Sequence, residues 1–440
     1  MNDQPQSARF APSKNARFAL GLLLGVNLMN FFDRQIVGAL AEPIRIEFGL
    51  SDTALGVVNT AFVLIYALVG IPLGRLTDRW VRTRVIAIGV AVWSLFTAAS
   101  GMAMSYGSFI ATRIGVGVGE ASCAPAGQSL IGDLYPPERR ARAMGVFMLG
   151  LPLGLFFAYL LSGVIAERWG WRAAFLIASV PGLILALLMW LIREPVRGAF
   201  EHAPPKNMER APFRSLLKIR TLWWIALSGV VFHFNTYAIN AFQSAFLQRF
   251  HQISLSQASA ISAVSLGLAG IIGLLAGGWL GDRWHERRKN GRLILAATGL
   301  LLAAPCVFMA LQQPKGHVLM FGALMGLSSV LTFAYYSTVY SAIQDVVPPP
   351  LRGTAVSLYF LAMYVLGGAF GTTAMGALSD YFAHQQMLAA HANEMAPVFK
   401  AGGLHSAMYV MPALMILCAG ALYMAARNAV RDQHRVGAIN

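Results

Sequence analysis

A chain of 440 residues with 57% apolar and only 12% charged residues cannot cover a water-facing surface, since soluble domains carry about 25% charged residues. The net charge of +15 would suit nucleic acid, but the basic residues sit in alternate loops and are not interleaved with exposed aromatics, which argues against that partner. Cys123, Cys306 and Cys418 are odd in number, widely spaced and inside apolar runs, so neither a disulfide framework nor a metal set is expected.

Arg9, Lys14 and Arg17 precede an apolar run to about Leu40 with no small-residue cleavage site after it, which predicts a retained first helix rather than a signal peptide. Further runs long enough to cross a hydrocarbon layer of about 30 Å follow. Helices are predicted at 18–40, 53–75, 83–104, 107–134, 141–165, 172–192, 221–248, 256–281, 292–312, 316–344, 351–380 and 405–426. The fold class is therefore all-α and polytopic, with twelve spans. The longest polar break, 193–220, holds Pro195, Pro204, Pro205 and Pro212. It divides the chain into an N-terminal tail (1–17), a six-helix bundle (18–192), a linker (193–220) with a short surface helix near 212–220, a second six-helix bundle (221–426) and a C-terminal tail (427–440). With both termini cytoplasmic, 26 of the 34 Lys and Arg residues fall on the inner side and six on the outer. That bias sets the expected orientation, in a bacterial-type inner membrane.

Two signatures recur. Gly74-Arg-Leu-Thr-Asp78-Arg79 returns as Gly278-Trp-Leu-Gly-Asp282-Arg283. Asp133-Leu-Tyr-Pro-Pro followed by Arg140 returns as Asp345-Val-Val-Pro-Pro followed by Arg352. The separations, 204 and 212 residues, imply a parallel repeat with a site between the halves at mid-membrane. The aspartates can accept from a helix N-terminus and pair with arginine. Gly74, Asp78, Arg79, Arg82, Arg140, Gly278, Asp282 and Arg283 are thus candidate inner-gate residues, the alternative being ordinary loop anchoring.

The duplicated G-x-L-x-D-R element resembles the signature of the major facilitator superfamily, and Arg113-Ile-Gly-Val-Gly-Val-Gly-Glu120 resembles its helix-four signature. Asn30-Phe-Phe-Asp33-Arg34, and Gly117-Val-Gly-Glu120-Ala-Ser122 followed by Ile131-Gly-Asp133, resemble the spinster branch. Val81 stands where the superfamily often has glycine, and Cys123 where spinster-like proteins often have tyrosine. The resemblance implies a secondary transporter of sphingoid or lysophospholipid substrates, with proton coupling in bacterial relatives.

Four ionisable residues interrupt the apolar spans: Asp33 and Arg34 in the first helix, Arg113 and Glu120 in the fourth. Each costs about 2.5–3.5 kcal/mol at mid-membrane if unpaired, so all must face the bundle interior. At 1.5 Å per residue, Asp33 and Glu120 both lie about 21–22 Å from the inner end. Gly115, Gly117 and Gly119 predict a close approach of helix one. Desolvation penalises a charged carboxyl, making Asp33 and Glu120 the candidate proton-coupling pair. Arg34 and Arg113 are candidate ligands for an anionic group. The alternative is a static buried network.

Phe31, Phe62 and Met148 are candidate apolar walls. His233, Asn235, Tyr237, Tyr335 and Tyr336, with Gln243, Tyr340, Tyr359 and Tyr364, are candidates for the second half of the cavity; packing explains them equally. His384, His391 and His405 are expected in an outer loop. No cofactor or metal is expected. Motifs of hydrolases, metalloproteases and nucleotide-driven pumps are lacking, so the expectation is a monomeric, non-enzymatic carrier working in the lipid bilayer. Its expected cargo is an amphipathic small molecule moved with protons; exchange of small organic anions or drugs is the alternative.

Overall fold

The computed structural model describes residues 14–197, 214–348 and 351–437. The outer parts of both expected tails, most of the linker and the Asp78 side chain lie outside the described residues.

Among the described residues, twelve helices alternate in direction: α1 (Lys14–Ala39, continuing as Ala41–Phe48), α2 (Asp52–Arg79), α3 (Arg82–Gly101), α4 (Tyr106–Glu120 and Cys123–Leu134), α5 (Pro137–Met148 and Gly150–Trp169), α6 (Trp171–Leu191), α7 (Arg220–Phe250), α8 (Leu255–Arg287), α9 (Gly291–Leu311), α10 (Val318–Val346), α11 (Arg352–Ala389) and α12 (Pro397–Met408 and Val410–Gly437). A single helical turn, Arg214–Leu217, precedes α7. Ten of the twelve are long and apolar enough to cross a membrane. The two that fall short, α1 and α4, are the two that carry the internal charges. Both described termini lie at one end of the bundle, called here the near end.

Local chemistry explains the interruptions. α4 breaks at Ala121–Ser122, where the ring of Pro125 would meet the carbonyl four residues back and leave it without a donor. α5 breaks at Leu149, just before Pro152 for the same reason. The continuous fourth helix expected from the sequence is therefore two segments, and Glu120 ends the first of them. Wider turns of π type occur in α8 (Ala263–Leu268) and α11 (Met363–Gly368). The outer histidine loop is corrected too: His384 lies in α11 and His405 in α12, because both helices run further than their apolar cores.

α1–α6 and α7–α12 form the two bundles, which meet through α1–α7, α2–α11 and α5–α8. Small residues decide who approaches whom. Gly150 and Gly154 of α5 lie against Asn27, Leu28 and Phe31 of α1. The α4 glycines face elsewhere than expected: Gly115 meets Phe96, Gly119 meets Gly89 and Trp93, and Gly117 meets Phe62. They admit α3 and α2, not α1, since the α1-facing side of α4 is occupied by Glu120 and its partner.

The side-chain hydrogen bonds joining the halves gather at the far end. Arg249 of α7 grips Asp52 of α2 through both terminal nitrogens (2.8 and 2.8 Å) and Glu42 through Nε (2.6 Å). Burial works against the Glu42 carboxylate, but Arg45 and Arg249 outweigh it and hold it below the usual carboxylate range. Asn59 and Thr60 of α2 donate to Gly368, Ala369 and Thr372 of α11, and Tyr159 of α5 donates to the Asn240 carbonyl. The near end is different. Added methyl groups on Gly56 or Gly376 at the far end would overlap the opposite bundle, whereas Gly70, Gly74 and Gly353 at the near end have nothing within 4 Å. The bundle is closed at the far end and parted at the near end.

The near-end signatures build clusters within each half. Arg82 joins Asp133, Ser129 (2.8 Å) and Glu194 (2.7 Å); Arg292 joins Asp282 (2.8 Å) and Asp345 (2.8 Å). Arg140 donates to the Gly132 carbonyl (2.7 Å), and Arg283 lies over Trp279 (5.9 Å). Arg79 is exposed, Gly74 meets nothing, and Gly278 makes only ordinary contact with Ser337. In this state the expected inner gate holds helices of the same half together, because the two near ends stand apart.

Among the described residues, Arg249 is the one cation that pairs with Glu42 and Asp52 from the opposite bundle, and Asp52 has no second ion pair. Arg249→Ala is expected to destabilise the purified protein by about 3 kcal/mol, the cost of stranding a buried partner. Arg249→Ala with Asp52→Asn should recover part of the loss. Thermal unfolding in detergent measures both.

Candidate functional site

The four internal charges converge. α1 presents Asp33 and Arg34 on successive residues, so their side chains leave the helix about 100° apart. Arg34 points to α4 and the seam between the bundles; Asp33 points to α3. Arg34 Nε donates to Glu120 Oε2 at 2.8 Å, with both side chains almost fully buried. Arg113 donates from Nη2 to the backbone carbonyl of Asp33 at 2.6 Å. Both guanidiniums lie over the Phe62 ring, Arg34 at 5.6 Å and Arg113 at 5.7 Å. Arg113 is enclosed further by Phe175 and is only 2% exposed.

The network is incompletely satisfied. Both Asp33 carboxyl oxygens, Glu120 Oε1 and Arg113 Nη1 are buried without a hydrogen-bond partner. Asp33 faces the Trp93 indole N–H and the Thr97 hydroxyl of α3, which are near enough to help hold its charge but fall short of good hydrogen-bond geometry. Buried polar groups left in this condition cost about 1–3 kcal/mol each. The arrangement can accept a proton on a carboxyl or a new donor or anion beside a guanidinium, and would gain from either.

An aromatic wall faces Arg34. Its guanidinium lies 4.2 Å from the Tyr66 ring and 5.2 Å from Phe31, within cation–π range. Tyr66 packs edge-on against Tyr364 of α11 at 5.5 Å, and Tyr364 stands on the π turn of that helix. His233 donates from Nδ1 to the Gly229 carbonyl (3.0 Å) and touches the rings of Tyr237, Tyr336 and Tyr364. Met148 lies against the same apolar cluster as Tyr237 and Tyr364. Beyond Arg34 a cavity of about 30 Å³, lined by Gln35, Asn59, Tyr237 and Asn240 among others, has room for water and little more.

Not every expected residue reaches this place. Tyr335 stacks on Phe232 at 3.9 Å and bonds to Ser228 (3.0 Å) and Tyr359 (3.1 Å); it belongs to the packing of the second bundle, as does Tyr359. Gln243 ties α7 to the π turn of α8 through Ser262 and Ser265. Asn235 is buried with its side-chain amide oxygen unpaired. Tyr66, Trp93 and Thr97 were not expected. The signals were there: Tyr66 lies four residues after Phe62 on the same face of α2, and Trp93, Ser94 and Thr97 put polar atoms on a buried face of an apolar helix.

Two apolar bundles closed at one end and parted at the other, with a buried ionic network at mid-depth, define a polytopic membrane carrier. The chain belongs to the Major Facilitator Superfamily, whose family model matches residues 23–372, and within it to the spinster-like transporters. It is 32% identical over 381 residues to an MFS-type efflux pump of Mycolicibacterium smegmatis (86% of this chain, 87% of that one). It is 27% identical over 391 residues to protein spinster homolog 1 of Homo sapiens (84% and 74%). Among solved structures, a bacterial homolog of the human lysosomal transporter Spinster, inward-facing and unoccupied, superposes with a TM-score of 0.84 at 28% identity, covering 96% of this chain and 99% of that one. The family is one of transporters, not enzymes.

Replacing Arg34 by Gln strands the Glu120 carboxylate and is expected to cost about 3–5 kcal/mol. Arg34→Gln with Glu120→Gln should be much closer to wild type. A double-mutant cycle on thermal unfolding reads the coupling; additive losses would mean that the pair does not hold α1 to α4.

Proposed function

We propose that the protein is a proton-coupled secondary transporter that moves an amphipathic, lysolipid-like substrate by alternating access. The observation that carries this reading is the position of Arg34. One guanidinium holds Glu120 on one side and faces an aromatic wall drawn from both bundles on the other. An anionic headgroup arriving at that wall competes with Glu120 for Arg34. The released carboxyl then takes a proton, which spares it an uncompensated buried charge. Asp33, whose oxygens have no hydrogen-bond partner, is the second proton carrier, and Arg113 steadies both from behind. Phe31, Phe62 and Met148 supply apolar surface for a chain, with Tyr237, Tyr336 and His233 opposite. The spinster names among the relatives favour a lipid-like substrate.

The excess of basic residues at the near end supports a cytoplasmic near end, with both termini inside and the bundle therefore inward-facing. A bacterial-type inner membrane and a monomer complete the reading, as do the tail, bundle and linker boundaries given above. Efflux of small organic anions or drugs is the second reading, favoured by the relative called an efflux pump, which is 32% identical.

Proteoliposomes test both. Uptake of a labelled lysophospholipid is expected to saturate and to rise with an imposed pH gradient in the wild type. Glu120→Gln should abolish the gradient effect. Gradient-dependent transport that survives Glu120→Gln overturns the proton role. Failure to move any lysolipid, with movement of a soluble organic anion, selects the second reading.

A further inference from the structure

The far end carries the same device twice. On α11, Gly376 and Asp380 are four residues apart; on α5, Gly163 and Glu167 share that spacing. Asp380 accepts from the backbone N–H groups of Asp52 (3.0 Å) and Thr53 (2.9 Å) and from the Thr53 hydroxyl. Glu167 accepts from the N–H of Ser256 (3.1 Å). These donors open α2 and α8. The first N–H groups of a helix have no partner within it, and its dipole favours a carboxylate there. The glycines bring the helices close enough: an added methyl at Gly376 would overlap the Asp52 carbonyl, and one at Gly163 the Ser259 side chain. Each helix start also has its own serine cap, Ser51 on Ala54 (3.1 Å) and Ser254 on Gln257 (3.3 Å).

The internal repeat makes these arms equivalent. Ser51 and Ser254, and Thr53 and Ser256, lie 203 residues apart, whereas Gly74 and Gly278 lie 204 apart. Between them is the π turn of α8, whose wider winding takes up one extra residue. Asp133 and Asp345 lie 212 apart, but Gly163 and Gly376, and Glu167 and Asp380, lie 213 apart; the π turn of α11 falls between. Each π turn accounts for one added residue. The acid of α5 caps α8 and the acid of α11 caps α2, an exchange across the pseudo-two-fold axis.

We propose that Glu167 and Asp380 are a duplicated pair of gate residues that hold the far end shut, and that the α2–α11 arm is the main lock. Among the described residues, that arm alone is reinforced. Asp52, beside the capped amides, also takes the Arg249 fork and the Ser379 hydroxyl (2.6 Å), and the Asp380 contacts are partly buried. Glu167 is exposed and more strongly screened. The proposal rests on the alternating-access reading but on neither the substrate nor the proton.

Paired nitroxide labels test it on the whole protein without substrate. Met104 and Leu319, both exposed at the far end, report the far gate; Arg142 and Glu286, exposed at the near end, report the opposite one. Asp380→Asn, which removes the charge facing the α2 dipole and one of the two acceptor oxygens, is expected to raise the far-open to far-closed ratio about fivefold, and Glu167→Gln only about twofold. Gly376→Ala should mimic Asp380→Asn, and Asp380→Glu should stay near wild type. The near-end distance should shorten as the far-end distance lengthens. Unchanged distributions in both Asp380→Asn and Gly376→Ala overturn the proposal. Far-end widening without near-end closure also overturns it, since that reports loosening rather than gating. An effect of Glu167→Gln as large as that of Asp380→Asn refutes the inequality of the arms.

Discussion

Arg34 and Glu120 face each other at 2.8 Å across the boundary between α1 and α4, both almost wholly removed from solvent. Neither charge is tolerable alone at this depth, so the position of each helix is tied to the other. The rest of the site arranges itself around that contact. Phe62 packs against both guanidiniums, Arg113 reaches behind to the Asp33 carbonyl, and Asp33 is turned away toward α3. Two acids and two bases can cancel in charge. They do not cancel in hydrogen bonds, and the surplus acceptors on Asp33 and Glu120 mark where a proton or a ligand lowers the energy.

Where the ion pairs lie matters as much as how many there are. The central pair joins helices of the first bundle. The Arg82 and Arg292 clusters at the near end are each confined to one bundle as well. Ion pairs that bridge the bundles occur at the far end, where Arg249 meets Glu42 and Asp52. A rocking motion that opens the far end therefore leaves the costly buried pair at the centre intact and concentrates the energy to be overcome in one peripheral cluster. Beyond that cluster and the Asp380 and Glu167 caps, the bundle interface is largely made by small residues and hydroxyls, which separate at modest cost because packing without buried charge is weakly discriminating inside a membrane.

Much of the fold was legible because the signals are additive along the chain. Apolar runs of spanning length, alternating loop charge and a duplicated signature each point to two six-helix bundles, and the structural match over 96% of the chain agrees. That four ionisable residues meet was legible from the cost of burying them singly. Their partners were less so. A charge count cannot say that Arg34 and not Arg113 reaches Glu120, since that depends on side chains leaving α1 in different directions. The break after Glu120 was written in Pro125 but hidden by the apolar residues around it. The α4 glycines announced a close approach without naming the neighbour, which is a property of three-dimensional packing. Tyr335 and Tyr336 are adjacent in sequence, yet one is sealed among Ser228, Tyr359 and Phe232 and the other meets His233; helical rotation alone separates them.

The repeat also explains why the site is lopsided. At the separation of 203 residues that relates the first turns of α2 and α8, the counterpart of Arg34 is Tyr237; at 212, those of Glu120 and Arg113 are Thr332 and Met325. The second bundle thus keeps the shape of the first and exchanges its ionic set for a phenol, a hydroxyl and a thioether. Two facing ionic networks would each bind an anionic group, and the carrier would hold its cargo through the very motion meant to release it. With charge on one wall and neutral aromatic surface on the other, separation of the bundles weakens only the contacts to the neutral wall. In the proposed mechanism Glu120 remains beside Arg34 to displace what is left, so the cost of release would be met within a single half.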